Sequence, residues 1–191
     1  MVMKLLSKLV FRITGWKVDN RVPREVKQFV MIAAPHTSNW DLIFARGAFF
    51  IMGIPLKFTI KKEWVQFPLS LFMKPLGAIP IDRKPKQAGL KKRSMVHVMA
   101  ELFKIHDDLV ILVTPEGTRQ KASKWKLGFY RIAEEAGVPI AFGYLDYSQK
   151  IAGIGGILET TGDIKKDMQV INEFYSQKTP KFPEKFSVHQ L

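Results

Sequence analysis

Apolar and polar residues follow one another in blocks whose length and spacing predict alternating strands and helices. Short continuous apolar runs bounded by turn residues indicate buried strands, and longer segments with a helical period indicate helices packed on a core. The predicted strands are 29–34, 57–60, 78–81, 109–113 and 139–145, with one or two more or a hairpin in 151–159, and the predicted helices are 40–52, 62–73, 87–106, 127–136 and 163–176.

This alternation predicts the α/β fold class, with a mixed, largely parallel sheet flanked by helices in a single domain over residues 19–191. A chain of 191 residues is long enough for one sizeable core. The tail, which contains Pro180 and Pro183, is predicted to be extended. Because the chain has no cysteine, disulfides, thiolate nucleophiles and cysteine-based zinc sites are excluded.

Residues 1–18 form a separate predicted unit, an amphipathic helix. Lys4, Lys8 and Arg12 recur at helical spacing on one face, and apolar residues occupy the other. A basic amphipathic helix is typical of a segment that lies in a membrane interface. Docking on the core is the alternative, and the sequence does not decide between them. The chain has neither a run of about 18 uncharged apolar residues that could span a bilayer nor a signal-peptide pattern.

The charge distribution narrows the choice of partner. The formal net charge is +13, with +5 in residues 1–30, none in 31–56, +8 in 57–93 and none in 94–191. Such an excess predicts an anionic partner, either a membrane surface, a phosphorylated small molecule or a nucleic acid. Because the excess positive charge is confined to the first 93 residues, we predict that it lies on one face of the protein and is not spread over the whole surface.

Candidate chemistry follows two of the predicted strands. In a sheet of this class, functional residues gather in the loops beyond the carboxyl ends of strands. After the strand 29–34 come His36 and, five residues later, Asp41, close enough for a carboxylate to orient an imidazole that acts as a general base. Taken alone this spacing is weak evidence, since a helix-capping Asp beside an incidental His would produce it.

The second loop follows the strand 109–113 and reads Thr-Pro-Glu-Gly-Thr-Arg over residues 114–119. Gly117 permits a close backbone approach, Thr118 offers a hydroxyl and Arg119 offers a planar guanidinium suited to phosphate. A structural turn in which Glu116 pairs with Arg119 is the alternative. A further arginine, Arg83, closes the segment Gly-Ala-Ile-Pro-Ile-Asp-Arg around the strand 78–81.

Together these blocks resemble the glycerolipid acyltransferases, the 1-acylglycerol-3-phosphate or lysophospholipid acyltransferase superfamily. The His-x4-Asp pair, the segment ending in Arg83, the Pro-Glu-Gly-Thr-Arg block and Val-Pro-Ile at 138–140 occur in that family's order across residues 35–140. The resemblance implies that His36 and Asp41 form the catalytic dyad. It also implies that the acceptor is bound by Arg83, Glu116, Gly117, Thr118 and Arg119. Two departures, Thr114 where many members have Phe and Pro80 at an often apolar position, affect packing around the site.

The implied reaction moves a fatty acyl group from a thioester to a free hydroxyl of lysophosphatidic acid or a similar lysophospholipid. The donor is acyl-CoA or acyl carrier protein, which is a co-substrate, and no cofactor or metal is expected. The resemblance and the basic N-terminal half predict an enzyme at the cytoplasmic face of the membrane, bound to an anionic lipid surface and not to nucleic acid.

Two alternatives stay open. One is an O-acyltransferase whose acceptor is a non-phosphorylated lyso-lipid. The other is a basic protein without catalysis, which binds membranes or nucleic acid through the 57–93 block, where Lys57, Lys61 and Lys62 are interleaved with Trp64 and Phe67. A hydrolase with Ser38 as nucleophile lacks the Gly-x-Ser-x-Gly elbow.

Overall fold

The structure is a computed structural model that describes residues 2–54, 56–61, 77–81 and 94–190. The described residues form five α-helices and seven β-strands. The helices are α1 (Val2–Thr14), α2 (Trp40–Met52), α3 (Met95–Ile105), α4 (Gly128–Ala136) and α5 (Ile164–Ser176), followed by a 3-10 turn (Pro183–Lys185). The strands are β1 (Lys17–Asn20), β2 (Gln28–Ala33), β3 (Leu56–Lys61), β4 (Ala78–Ile81), β5 (Leu109–Val113), β6 (Ile140–Asp146) and β7 (Ile151–Leu158).

The described strands form one sheet in the order β1-β7-β6-β2-β5-β3-β4. All neighbouring pairs are parallel except β6 and β7, which are antiparallel. The predicted mixed, largely parallel sheet is therefore confirmed. Because β7 reverses direction and β1 runs parallel to β7, β1 begins at the same edge of the sheet where β2, β5 and β6 end.

The central strands are apolar on both sides because helices cover both faces of the sheet. Val30 and Ile32 of β2 face a core formed with α4 and α5. Phe29 and Met31 face the opposite side, where Phe49 of α2 packs against them. This two-sided burial explains why β2 appears in the sequence as a continuous apolar run instead of an alternating one.

Helix α1 packs on α2 through a narrow stripe. Ser7 and Phe11 are its buried residues, and the Phe11 ring lies so close to Gly47 that a Cβ there would come within 2.8 Å of it. Trp16, which follows α1, stacks on Phe44 of α2 with ring centroids 4.2 Å apart. The prediction of a helix is confirmed, and the proposed boundary at residues 18 and 19 falls inside β1.

Most predicted elements coincide with observed ones, and the strands 78–81 and 109–113 have the predicted bounds. The segment 151–159 forms one strand, β7, rather than a hairpin. The short polar strand β1 was not predicted. The predicted helix 62–73, the first part of the predicted helix 87–106 and Arg83 lie outside the described residues.

The register of the central strands fixes where the candidate site lies. Ile32 of β2 is opposite Val113 of β5, and Ala33 is opposite Gly143 of β6. The loops that follow these three parallel strands therefore leave the sheet side by side. Residues that are distant in sequence, at 34–41, 114–119 and 146–149, converge on one edge.

Candidate active site

The loop between β2 and α2 brings His36 and Asp41 together. The chain leaves β2 through a cis Ala34–Pro35 peptide, and Asp41 lies in the first turn of α2. Nδ1 of His36 is 3.2 Å from Oδ2 of Asp41. The His36 side chain is 30% exposed and the Asp41 side chain only 6%. The imidazole is thus accessible to a ligand, while the carboxylate behind it is not.

Asp41 also organises the backbone of its own loop. Its Oδ2 accepts hydrogen bonds from the backbone N–H groups of Thr37 and Ser38, both at 2.9 Å. Its Oδ1 accepts a hydrogen bond from the hydroxyl of Tyr147 at 2.7 Å. Every one of these contacts favours the ionised carboxylate.

The electrostatics of Asp41 follow from these contacts. Burial alone would raise the pKa of this carboxyl group, but the hydrogen bonds from His36, Tyr147 and Ser38 together outweigh burial and hold the pKa below its ordinary value. Asp41 is therefore ionised at neutral pH. An ionised partner on Nδ1 leaves Nε2 of His36 as the nitrogen that can accept a proton from a ligand.

Glu116, in the loop after β5, contacts the same segment from the other side. Its Oε2 accepts the backbone N–H of His36 at 2.9 Å, and its side chain is buried. Burial raises the pKa of Glu116 strongly, the His36 hydrogen bond opposes that shift and the nearby Asp41 charge adds to it, so that the pKa rises to about 8. Glu116 therefore holds the His36 loop in place. The Glu116–Arg119 pair, which the sequence left open as an alternative, is not observed.

Residues 117–120, which follow Glu116, are exposed to solvent. Gly117 adopts a left-handed conformation with φ of 66° and donates its N–H to the carbonyl of Thr114. Lys126 lies over it, so a Cβ at this position would meet the Lys126 Nζ at 2.8 Å. The hydroxyl of Thr118 accepts the backbone N–H of Gln120. Arg119 forms no ion pair with any residue in the described part of the chain.

Two cavities meet at His36. The first, about 690 Å³, is mostly apolar, and the second, about 490 Å³, is polar. Both volumes lie in the range of ligand-binding pockets, about 300–1,000 Å³. His36 and Thr114 line both cavities. The apolar cavity is formed mainly by Met31, Leu42, Ala45, Phe49, Val96, Met99, Leu112 and Ile132. The polar cavity is completed by Gly117, Thr118, Arg119 and Gln120.

The structure thus places five of the seven predicted site residues around two adjoining cavities: His36 at their junction, Asp41 behind it, and Gly117, Thr118 and Arg119 along the polar one. Glu116 is close by but is not among the residues that line the polar cavity. Arg83 lies outside the described residues. Such an arrangement can hold an apolar chain on one side of a general base and a polar, anionic group on the other.

Sequence reasoning missed Tyr147 and Lys126. Tyr147 follows β6 directly and donates to Asp41, and the rule that functional groups gather after parallel strands would have located it. Lys126 lines the apolar cavity beside the Gly117 turn, and its spacing in the sequence gives no such signal. Among the described residues, no cluster of three or more His, Asp or Glu side chains could hold a metal ion.

Comparisons with known proteins bear on this site. The family model described as Acyltransferase matches residues 16–141, a span that includes both loops. The crystal structure of the 1-acyl-sn-glycerophosphate (LPA) acyltransferase PlsC from Thermotoga maritima matches with a TM-score of 0.60 and 16% identity, covering 92% of this chain and 76% of that one. At this identity the likeness is one of fold. No curated protein matches the chain.

The raised pKa of Glu116 has a testable effect on stability. Between its ordinary pKa of 4.5 and about 8, Glu116 loses its proton in the unfolded chain but keeps it in the folded one. Rising pH therefore favours unfolding through this group. Glu116→Gln keeps an acceptor for the His36 N–H but cannot ionise. We expect its free energy of unfolding to rise relative to wild type as pH increases from 5 to 8, measured by urea denaturation at each pH.

Asp167→Asn is the control, because the pKa of Asp167 is shifted in the opposite direction from that of Glu116. Burial would raise the pKa of Asp167, but hydrogen bonds from Thr161 and Tyr130 outweigh it and hold the pKa below its ordinary value. The contribution of ionised Asp167 to stability is complete above its ordinary pKa. The difference in free energy of unfolding between Asp167→Asn and wild type should therefore be constant from pH 5 to 8 and shrink only in acid. If the difference in free energy of unfolding between Glu116→Gln and wild type were equally constant over this pH range, the buried, protonated state of Glu116 would be contradicted.

Proposed function

This chain belongs to the Acyltransferase family, whose model covers residues 16–141, and on that premise we propose that it transfers a fatty acyl group from an acyl thioester to the free hydroxyl of a lysophospholipid. The observation that carries the proposal is the position of His36 at the junction of the apolar and polar cavities. An acyl chain is suited to the first cavity and a phosphate-bearing acceptor to the second, which brings the thioester carbonyl and the hydroxyl together beside one imidazole.

The proposed reaction needs no acyl-enzyme. Nε2 of His36 takes the proton of the acceptor hydroxyl while that oxygen attacks the thioester carbonyl carbon. The tetrahedral intermediate expels the thiolate, which receives the proton from the imidazolium, so an ester and a free thiol result. Asp41, at 3.2 Å from Nδ1, stabilises the imidazolium during this step. The thiol belongs to CoA or to acyl carrier protein.

We propose lysophosphatidic acid as the acceptor. Arg119 lines the polar cavity, and its guanidinium is suited to two hydrogen bonds with a phosphate. The fold is shared with the 1-acyl-sn-glycerophosphate acyltransferase PlsC from Thermotoga maritima, which favours the same class of acceptor. Gly117 and Thr118 line the cavity with Arg119, and Arg83 remains a predicted further ligand of the phosphate.

We further propose that the protein acts while bound to an anionic lipid surface through α1. Ser7 and Phe11 are the buried residues of this helix, and most of its large apolar side chains stay exposed, as do Leu42 and Ile43 of α2. The exposed apolar residues of α1 are Val2, Met3, Leu5, Leu6, Leu9 and Ile13. Lys4, Lys8 and Arg12 are exposed beside them, and a helix with this division of residues binds at a lipid interface. No helix in the described part of the chain is long and apolar enough to cross a bilayer.

His36→Gln tests the general base. We expect it to lower kcat/KM for acyl transfer by about 10²–10⁴-fold, since that is the usual contribution of general base catalysis. The matched control is His97→Gln, because His97 is exposed, pairs with Glu135 at 2.5 Å and is not among the residues that line either cavity. The measurement is product mass after incubation with acyl-CoA or acylated carrier protein and a panel of lyso-lipids. A folded His36→Gln variant that keeps more than a few per cent of wild-type activity would contradict the dyad assignment.

Arg119→Ala tests the acceptor. We expect the KM for lysophosphatidic acid to rise about 10- to 100-fold, the usual effect of losing hydrogen bonds to a charged group. The KM for a non-phosphorylated lyso-lipid should change little. Lys121→Ala, an exposed neighbour outside the cavity lining, is the control. An unchanged KM for lysophosphatidic acid, with faster turnover of a non-phosphorylated acceptor, would favour the second acceptor class.

Replacing Leu5 and Leu9 of α1 by Glu tests the lipid-binding surface. Each leucine removed from lipid costs about 1.5–3 kcal/mol, so binding to vesicles that contain phosphatidylglycerol should weaken at least about tenfold. Ile105→Glu makes the same kind of change at an exposed position of α3 and should leave binding unchanged. Cosedimentation with phosphatidylglycerol and phosphatidylcholine vesicles is the measurement, and equal binding of all three proteins would argue against α1 as the contact.

A further inference from the structure

Asp41 has two oxygens with different partners. Oδ2 lies 3.2 Å from Nδ1 of His36 and also accepts the backbone N–H groups of Thr37 and Ser38. Oδ1 accepts one hydrogen bond from the described part of the chain, the 2.7 Å bond donated by the hydroxyl of Tyr147. The orientation of the carboxylate about its own axis therefore depends on Tyr147.

Tyr147 is itself held on several sides. Its backbone N–H donates to the carbonyl of Thr179 at 2.8 Å. Its ring lies edge-on to Trp16, with centroids 5.0 Å apart, and edge-on to Phe44 at 6.2 Å. Just before it, the buried carboxylate of Asp146 accepts hydrogen bonds from Ser148 and Gln149 and fixes the turn after β6. The hydroxyl is thus placed by the fold before any substrate arrives.

We propose that Tyr147 is a positioning residue of the acyl transfer: its hydroxyl anchors Oδ1 of Asp41 so that Oδ2 stays directed at Nδ1 of His36 while the imidazole gains and returns a proton. This role rests on the proposed function, because it matters only if His36 acts as a base. Tyr147 makes no contact with substrate in this scheme and acts through Asp41.

The chemistry of the phenol suits this role. Burial, the hydrogen bond to Asp41 and the charge of that carboxylate all raise the pKa of Tyr147 above its ordinary value. The hydroxyl therefore donates a hydrogen bond and does not release its proton to the dyad. When the imidazolium forms, the carboxylate must remain ionised and correctly oriented, and a fixed donor on its far oxygen favours both.

Tyr147→Phe is the test, because it removes one hydroxyl and keeps the ring against Trp16 and Phe44. We expect kcat to fall about tenfold or more, as for loss of a hydrogen bond to a charged group, with the KM of acceptor and donor changed less than twofold. Tyr130→Phe is the matched control. Its hydroxyl donates to Asp167 at 2.8 Å, in a buried tyrosine–carboxylate bond that borders neither cavity, so kcat should stay within twofold of wild type.

A double-mutant cycle with Asp41→Asn separates positioning from general structure. If Tyr147 acts through Asp41, adding Tyr147→Phe to Asp41→Asn should lower kcat less than twofold further. Additive losses would overturn the proposal, as would a wild-type kcat for Tyr147→Phe or a loss of kcat accompanied by a changed far-ultraviolet circular dichroism spectrum. Since His36→Gln is assayed in parallel, an inactive His36 variant beside a fully active Tyr147→Phe would overturn the positioning role alone, and a wild type without acyl transfer would overturn both.

Discussion

A carboxylate removed from water has to be solvated by the protein, and the site is built around this requirement at Asp41. The loop between β2 and α2 folds so that two of its own N–H groups, at Thr37 and Ser38, point at one oxygen, while Tyr147 occupies the other. These bonds keep the charge that orients His36. The same bonds determine the path of the loop, so the geometry of the His36–Asp41 pair and the local fold have a single physical cause.

The parallel arrangement of three strands makes this solvation possible. β5 and β6 flank β2, and the loop after each strand contributes one side chain to the His36 loop, Glu116 from one side and Tyr147 from the other. The two buried carboxyl groups then differ in state. Asp41 accepts several hydrogen bonds and stays ionised. Glu116 has one donor among the described residues and the Asp41 charge nearby, and its pKa rises to about 8. One edge of the sheet thus holds an ionised and a neutral acid side by side, a separation of pKa values typical of active sites.

Much of the fold was predictable because the central strands are buried on both faces and appear as apolar runs. β1 was missed because Lys17–Asn20 is short, polar and at the sheet edge, where pairing rather than composition makes the strand. His36, Asp41 and the loop after β5 were found by the rule for carboxyl ends of strands. The direction of the Glu116 side chain was not predictable. Its carboxyl group could pair with Arg119 or accept the N–H of His36, and which partner it has depends on the burial that the folded sheet creates. For α1 the two alternatives are not exclusive, because a helix can dock by one stripe and leave its apolar face uncovered.

The reversal of β7 also decides where the chain begins relative to the site. Had β7 been parallel to β6, β1 would have started at the opposite edge of the sheet, and α1 would have been carried away from His36. Instead, α1 and Trp16 adjoin the edge that holds His36 and Asp41, and the Trp16 ring contacts the Tyr147 ring directly. Under the proposed binding of α1 to a lipid leaflet, an amphiphile that diffuses laterally in that leaflet would reach His36 by partial extraction alone, and neither it nor its more hydrophobic product would have to cross bulk water.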